Sequence, residues 1–120
     1  MKTILVCDDE RHMVRLIEHS LKRTGNRILT AYSGREALRI MENEPVDLLI
    51  LDVMLPGQDG FEILGEARRI LGPATPKIVM LTARGLSTTR EQASAEGVAG
   101  FLTKPFSPIE LQRTVEAMLQ

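Results

Sequence analysis

Aromatic side chains are scarce in this chain: three Phe, one Tyr and no Trp in 120 residues. So few rings argue against surfaces that stack bases or wall in a flavin. Cysteine is scarcer still. The single Cys7 cannot build a disulfide framework, and it reads as a small buried hydrophobe in a reducing compartment. An excess of one charge is also missing, because fifteen Lys plus Arg against sixteen Asp plus Glu leave a net −1. No basic field is available for nucleic acid or anionic lipid. Long hydrophobic runs are absent too: only four apolar residues separate Met1-Lys2-Thr3 from Asp8-Asp9-Glu10, against roughly 7–15 for a secretory signal and about 18 for a membrane helix. The expectation is a soluble, cytoplasmic protein.

What is present is ordinary globular material, 43% apolar and 26% charged, enough for one core without staples. No repeat, low-complexity tract or linker interrupts residues 1–120, which read as a single domain, any output domain being absent or lying beyond Gln120. Three apolar blocks recur: Ile4-Leu5-Val6-Cys7, Leu48-Leu49-Ile50-Leu51 and Ile78-Val79-Met80-Leu81. None alternates with polar residues. That is the pattern of a strand buried on both faces of a parallel sheet, although a buried helical segment of the same length reads alike. Weaker strands fit Ile28-Leu29-Thr30-Ala31 and Phe101-Leu102-Thr103.

Helical patterns lie between these blocks. Met13, Leu16, Ile17 and Leu21 form one apolar stripe, closed by Gly25; Ala37, Leu38 and Met41 form a second, and Leu111, Val115 and Met118 a last one. Helix starts are marked by Ser33-x-x-Glu36, Asp59-x-x-Glu62, Thr88-x-x-Glu91 and Ser107-Pro108-x-Glu110, each a capping oxygen with Glu three residues on. Gly72 and Gly97 fall where the third and fourth helices should end. The fourth helix offers only Ala93 and Ala95 as apolar anchors after the polar run Ser87-Thr88-Thr89, so it should be the least firmly held. Five βα units follow, an α/β sandwich with helices on both faces of a parallel sheet.

In such sheets ligands gather beyond the carboxyl ends of the strands. Asp8-Asp9 follow the first block, Asp52 the second, Thr82-Ala83 the third, and Lys104-Pro105 the last strand. Taken singly, each Asp reads as a turn or cap residue, Lys104 as a solvated charge and Thr82 as a strand-end hydroxyl. Together they place three carboxylates, a hydroxyl and an ammonium on one edge. Packed carboxylates repel, and a hard divalent cation resolves the repulsion; few carboxylates with room for water suit Mg²⁺ better than a Ca²⁺ cage, and no Cys/His cluster suggests zinc. An Asp beside Mg²⁺ and Lys can attack phosphorus. His12 and His19, seven residues apart on the first helix, are assigned no role.

From Ile4 through Glu10, Asp47 through Gly60, Met80-Leu81-Thr82-Ala83 and Phe101 through Phe106, the chain resembles bacterial two-component response regulator receiver domains of the chemotaxis-regulator type. The resemblance implies a flavodoxin-like (βα)5 three-layer sandwich whose five-stranded parallel sheet has the order 2-1-3-4-5. It implies Asp52 as phosphoacceptor from a histidine kinase or phosphotransfer protein, or from a small phosphodonor. Mg²⁺ would be held by Asp9, Asp52 and the Met54 carbonyl, with Asp8 acting directly or through water. Lys104 would hold phosphoryl oxygens ahead of a cis bond to Pro105. Thr82 and Phe101 would form the switch, although Phe101 alone reads as core, and the response would appear on the fourth helix, fifth strand and fifth helix. Such a domain catalyses nothing but its own phosphorylation and dephosphorylation, and meets a downstream protein partner or output domain.

Two departures from the family pattern stand out. Ala99-Gly100 replace an acidic pair that supports dimers in DNA-binding members, which leaves Arg113 without its expected partner across that dimer and favours a free-standing or hybrid-kinase type of receiver, monomeric or weakly dimeric. Arg84 stands where members tune water access to the phosphate, slowing or reorienting hydrolysis. A phosphatase of the dehalogenase type would need a second acid where Met54 stands, a flavodoxin would need aromatic walls, and a receiver that is never phosphorylated would not need this set of residues. Two of the four rings, Phe101 and Phe106, bracket Lys104-Pro105.

Overall fold

The computed structural model describes residues 1–83 and 87–120, with 87–90 as helical backbone only. Arg84, Gly85 and the side chains of Ser87, Thr88 and Thr89, on which the water-access, capping and polar-run expectations rest, lie outside the described residues. In chain order the elements are β1 (Thr3–Cys7), α1 (Arg11–Lys22), β2 (Arg27–Ala31), α2 (Gly34–Asn43), β3 (Leu48–Asp52), β4 (Met54–Leu55), β5 (Gln58–Asp59), α3 (Gly60–Leu71), a 3-10 turn (Gly72–Ala74), β6 (Lys77–Ala83), α4 (Ser87–Ala95), β7 (Gly100–Lys104) and α5 (Pro108–Leu119).

The three apolar blocks are strands, and each is buried end to end because helices cover both faces. β1, β3 and β6 are the centre of a parallel sheet ordered β2-β1-β3-β6-β7. This is the expected 2-1-3-4-5 order once the β4–β5 hairpin is set aside. Period-two alternation sends successive side chains to opposite faces. Leu5, Leu49, Leu51 and Met80 pack with Leu38, Met41, Ile63 and Leu64 from α2 and α3. Ile4, Ile50, Val79 and Leu81 pack with Val14, Ile17, Leu21, Leu111 and Val115 from α1 and α5. At about 1.5–3 kcal/mol for each large aliphatic side chain buried, these two half-cores carry the fold.

Local chemistry ends the helices where the sequence marks them. The hydroxyl of Ser33 accepts from the Glu36 N–H and that of Ser107 from the Glu110 N–H, both at 3.1 Å, and Asp59 Oδ1 accepts from the Phe61 N–H at 2.8 Å. Gly25, Gly72 and Gly97 all take positive φ. Two expectations are corrected, and a third feature is new. Leu16 is 40% exposed, and Val14 replaces it on the buried stripe, because Leu16 lies about 100° round the axis from Ile17. Of the two alanines expected to anchor α4, Ala93 is buried and Ala95 is exposed. The third is the unforeseen β4–β5 hairpin, closed by Pro56-Gly57 with Gly57 at φ 71°, the proline-then-positive-φ order of a type II turn.

Candidate functional site

The parallel register brings five strand-end residues together. Asp52 closes β3 opposite Leu81, and Thr82 and Ala83 of β6 lie opposite Thr103 and Lys104 of β7. Asp8 follows β1 directly and is fully buried, its N–H donating to the Ala31 carbonyl at 3.2 Å; Asp9 is exposed. One carboxylate oxygen from each of Asp8, Asp9 and Asp52 lies within 4.8 Å of the others.

Lys104 spans this cluster from the far edge of the sheet. Its Nζ donates to Asp8 Oδ2 at 2.8 Å and to Asp52 Oδ2 at 3.4 Å, and Glu10 Oε1 lies 3.8 Å away. The remaining Asp8 and Asp52 oxygens accept from the backbone, Asp8 Oδ1 from the Glu10 N–H and Asp52 Oδ1 from the Met54 N–H, both at 3.0 Å. The Met54 side chain is 67% exposed, so what it offers the cluster is backbone. Thr82 is buried, and its hydroxyl donates to the Ala83 carbonyl at 3.4 Å. The Lys104-Pro105 peptide is cis.

Electrostatics follow from this packing. Burial pushes the Asp52 carboxyl up to about 6 and the Asp8 charge adds to the rise, while the Met54 N–H and Lys104 only partly offset it. Burial acts to lower the Lys104 ammonium, but its bond to Asp8 and the charges of Asp52 and Asp8 outweigh that and hold it above the ordinary lysine range. Neighbouring Cys7 is buried and pushed up to about 12, first by burial and then by the Asp8 and Asp52 charges; its thiol donates to the Ser33 carbonyl at 3.4 Å. Its burial is what its lone occurrence suggested.

Phe101 and Phe106 do flank Lys104-Pro105, but on opposite faces of the sheet: Phe101 packs with the α2 and α3 core, Phe106 with the α1 and α5 core. Both histidines are exposed. Arg113 is exposed on α5. Sequence reasoning missed two contributors. Glu10 was passed over although it adjoins the acidic pair. Gly60 closes the Asp47–Gly60 stretch without a role of its own in the sequence, yet a Cβ there would meet the Asp52 carbonyl oxygen at 2.7 Å and Val53 Cα at 2.8 Å. Its lack of a side chain lets the Gly60 N–H donate to the Val53 carbonyl at 2.7 Å and seats α3 against the loop that carries Asp52. The Asp59-Gly60 pair before a helical stripe was the available signal.

Fold and site together define a flavodoxin-like α/β sandwich with a carboxylate and lysine cluster at the carboxyl edge of the sheet. Residues 4–116 match the response regulator receiver domain family, and the chain belongs to it, as a component of two-component signalling. It is 40% identical over 121 residues to the alkaline phosphatase synthesis transcriptional regulatory protein PhoP of Bacillus subtilis, covering 99% of this chain and 49% of that protein. It is 33% identical to response regulator GtcR of Aneurinibacillus migulanus, covering 99% of this chain and 48% of GtcR. The chain thus spans about half the length of the curated relatives it matches. Among solved structures, the Vibrio cholerae chemotaxis protein CheY4 superposes with a TM-score of 0.91 at 32% identity, over 99% of both chains. No helix among the described residues is long and apolar enough to cross a membrane.

Proposed function

We propose that Asp52 accepts a phosphoryl group from the phosphohistidine of a histidine kinase or phosphotransfer protein, or from a small phosphodonor, in a Mg²⁺-dependent reaction. The observation that carries this reading is the convergence of Asp8, Asp9 and Asp52 oxygens within 4.8 Å, with one ammonium bridging Asp8 and Asp52. The donor set fits the ion. Three carboxylates gather round a single ammonium, so the cluster carries more negative charge than one lysine balances, and its donors are hard oxygens. Asp8, Asp9, Asp52 and the Met54 carbonyl would hold it. When bound, Mg²⁺ neutralises charge on the transferring phosphoryl oxygens.

The chain's own residues do the rest. The Met54 N–H fixes one Asp52 oxygen, and the carboxylate attacks phosphorus. A P–O bond to Asp52 forms as the P–N bond to imidazole or to the amine of phosphoramidate, or the P–O bond to the carboxylate of an acyl phosphate, breaks, and the bonding pair leaves with the donor. Lys104 exchanges Asp52 Oδ2 for a phosphoryl oxygen. The Thr82 hydroxyl turns from the Ala83 carbonyl to another, and Phe101 follows into the space vacated, altering the α4, β7 and α5 surface read by a protein partner or output domain. The reading takes residues 1–120 as one cytoplasmic domain, monomeric or weakly dimeric, that binds no nucleic acid itself.

Acetyl phosphate with Mg²⁺ should add a single phosphoryl group to the wild type, seen by intact mass, and none to Asp52→Asn or to wild type in excess chelator. Equal labelling of Asp52→Asn rejects the acceptor, and labelling in chelator rejects the metal.

A further inference from the structure

Glu10 engages both charged residues that organise the cluster. Its N–H donates to Asp8 Oδ1 at 3.0 Å, and its own Oε1 lies 3.8 Å from Lys104 Nζ. The side chain makes no capping hydrogen bond to α1 and stays 58% exposed, so securing the helix is not its work. Lys104 Nζ therefore stands among three carboxylates at 2.8, 3.4 and 3.8 Å, and Glu10 is the outermost of them. Asp8 is fully buried and Asp52 nearly so, which leaves Glu10 beside Asp9 as negative charge that a small donor meets on arrival from solvent.

We propose that Glu10 is a positioning residue that draws Lys104 toward the mouth of the site and an electrostatic filter against small, highly charged anionic phosphodonors. This rests on the reading of Asp52 as phosphoryl acceptor. Two effects act in the same direction. An ammonium shared with Glu10 is less free to take a phosphoryl oxygen, and an exposed carboxylate repels an approaching dianion across the screening length of about 10 Å at 0.1 M salt. The second effect scales with donor charge. An acyl phosphate dianion is penalised more than phosphoramidate, which carries less negative charge, whereas a phosphohistidine brought in on a protein surface has contacts elsewhere to offset the repulsion. The residue thereby biases the site toward protein-bound donors.

Initial rates of Asp52 labelling test this, measured for wild type, Glu10→Gln and Glu10→Asp with acetyl phosphate and with phosphoramidate, at saturating Mg²⁺ and increasing salt. Glu10→Gln should accelerate labelling by acetyl phosphate about three- to tenfold at low salt and labelling by phosphoramidate less. The gain should vanish near 1 M salt, where the screening length is about 3 Å. Glu10→Asp, which keeps the charge, should follow the wild type. A Glu10→Gln rate equal to or below wild type at low salt, or one acceleration common to both donors at every salt, overturns the proposal. Wild type that takes no label on Asp52 under any condition is a different failure, which removes the underlying reading and this proposal with it.

Discussion

In metal-free protein, Asp52→Asn should stabilise the fold. The Asp52 carboxyl is buried beside Asp8 and sits at about 6, against its ordinary 3.8. A folded-state value above the unfolded one means that the folded chain holds the proton more tightly. No penalty exists below about 3.8, where both states are protonated; it grows through the window up to about 6 and is complete above it. At about 1.4 kcal/mol for each tenfold change in proton affinity, the gap corresponds to about 3 kcal/mol at neutral pH and about half that at pH 5. Asn keeps the shape and can still accept the Met54 N–H, while Lys104 retains Asp8 at 2.8 Å. Urea unfolding followed by circular dichroism in excess chelator should therefore show Asp52→Asn more stable than wild type by about 2–3 kcal/mol near pH 7.5, with the gap narrowing toward pH 5. A variant no more stable than wild type at neutral pH, or a gap that does not narrow on acidification, would refute the electrostatic reasoning.

Gly60→Ala forces a Cβ to within 2.7 Å of the Asp52 carbonyl and should cost about 1–3 kcal/mol and slow phosphorylation, whereas Gly65→Ala, with nothing within 4 Å, should stabilise α3 by about 0.5–1 kcal/mol; thermal melts giving the same sign for both would contradict the close-approach argument. Cys7, buried and raised to about 12, should resist iodoacetamide near pH 8 in the folded protein and react promptly once unfolded. Equal alkylation in both states would show that the site opens. Phe101→Ala should leave phosphorylation of Asp52 largely intact while weakening the partner's response, and equal loss of both in parallel labelling and binding assays would make Phe101 core and nothing more.

The parts legible in the sequence were those set by local or periodic physics. As strands, unbroken apolar blocks need both sheet faces covered, and Ser33, Asp59 and Ser107 cap helices by contacts two or three residues away. Strand topology then carried Asp8, Asp9, Asp52 and Lys104 to one edge, though not which aspartate would be buried. That distinction falls to Asp8, paired at 2.8 Å with a lysine 96 residues away, while Asp9 stays in solvent. Leu16 was misplaced because a stripe can be drawn through either Leu16 or Val14, and only packing against β1 and α5 decides. Gly60 and Glu10 were missed for a related reason: a close approach and a shared ammonium are properties of three-dimensional neighbours, invisible to spacing along the chain.

Locating the phosphoryl group tests Asp52 as the acceptor most directly. Wild-type protein treated with acetyl phosphate and Mg²⁺, then reduced with borohydride to convert an aspartyl phosphate to homoserine, can be digested and sequenced by tandem mass spectrometry. Homoserine at Asp52 is the predicted result. Homoserine at Asp8, Asp9 or Asp59 instead, or at no aspartate in protein that binds Mg²⁺, would contradict the account.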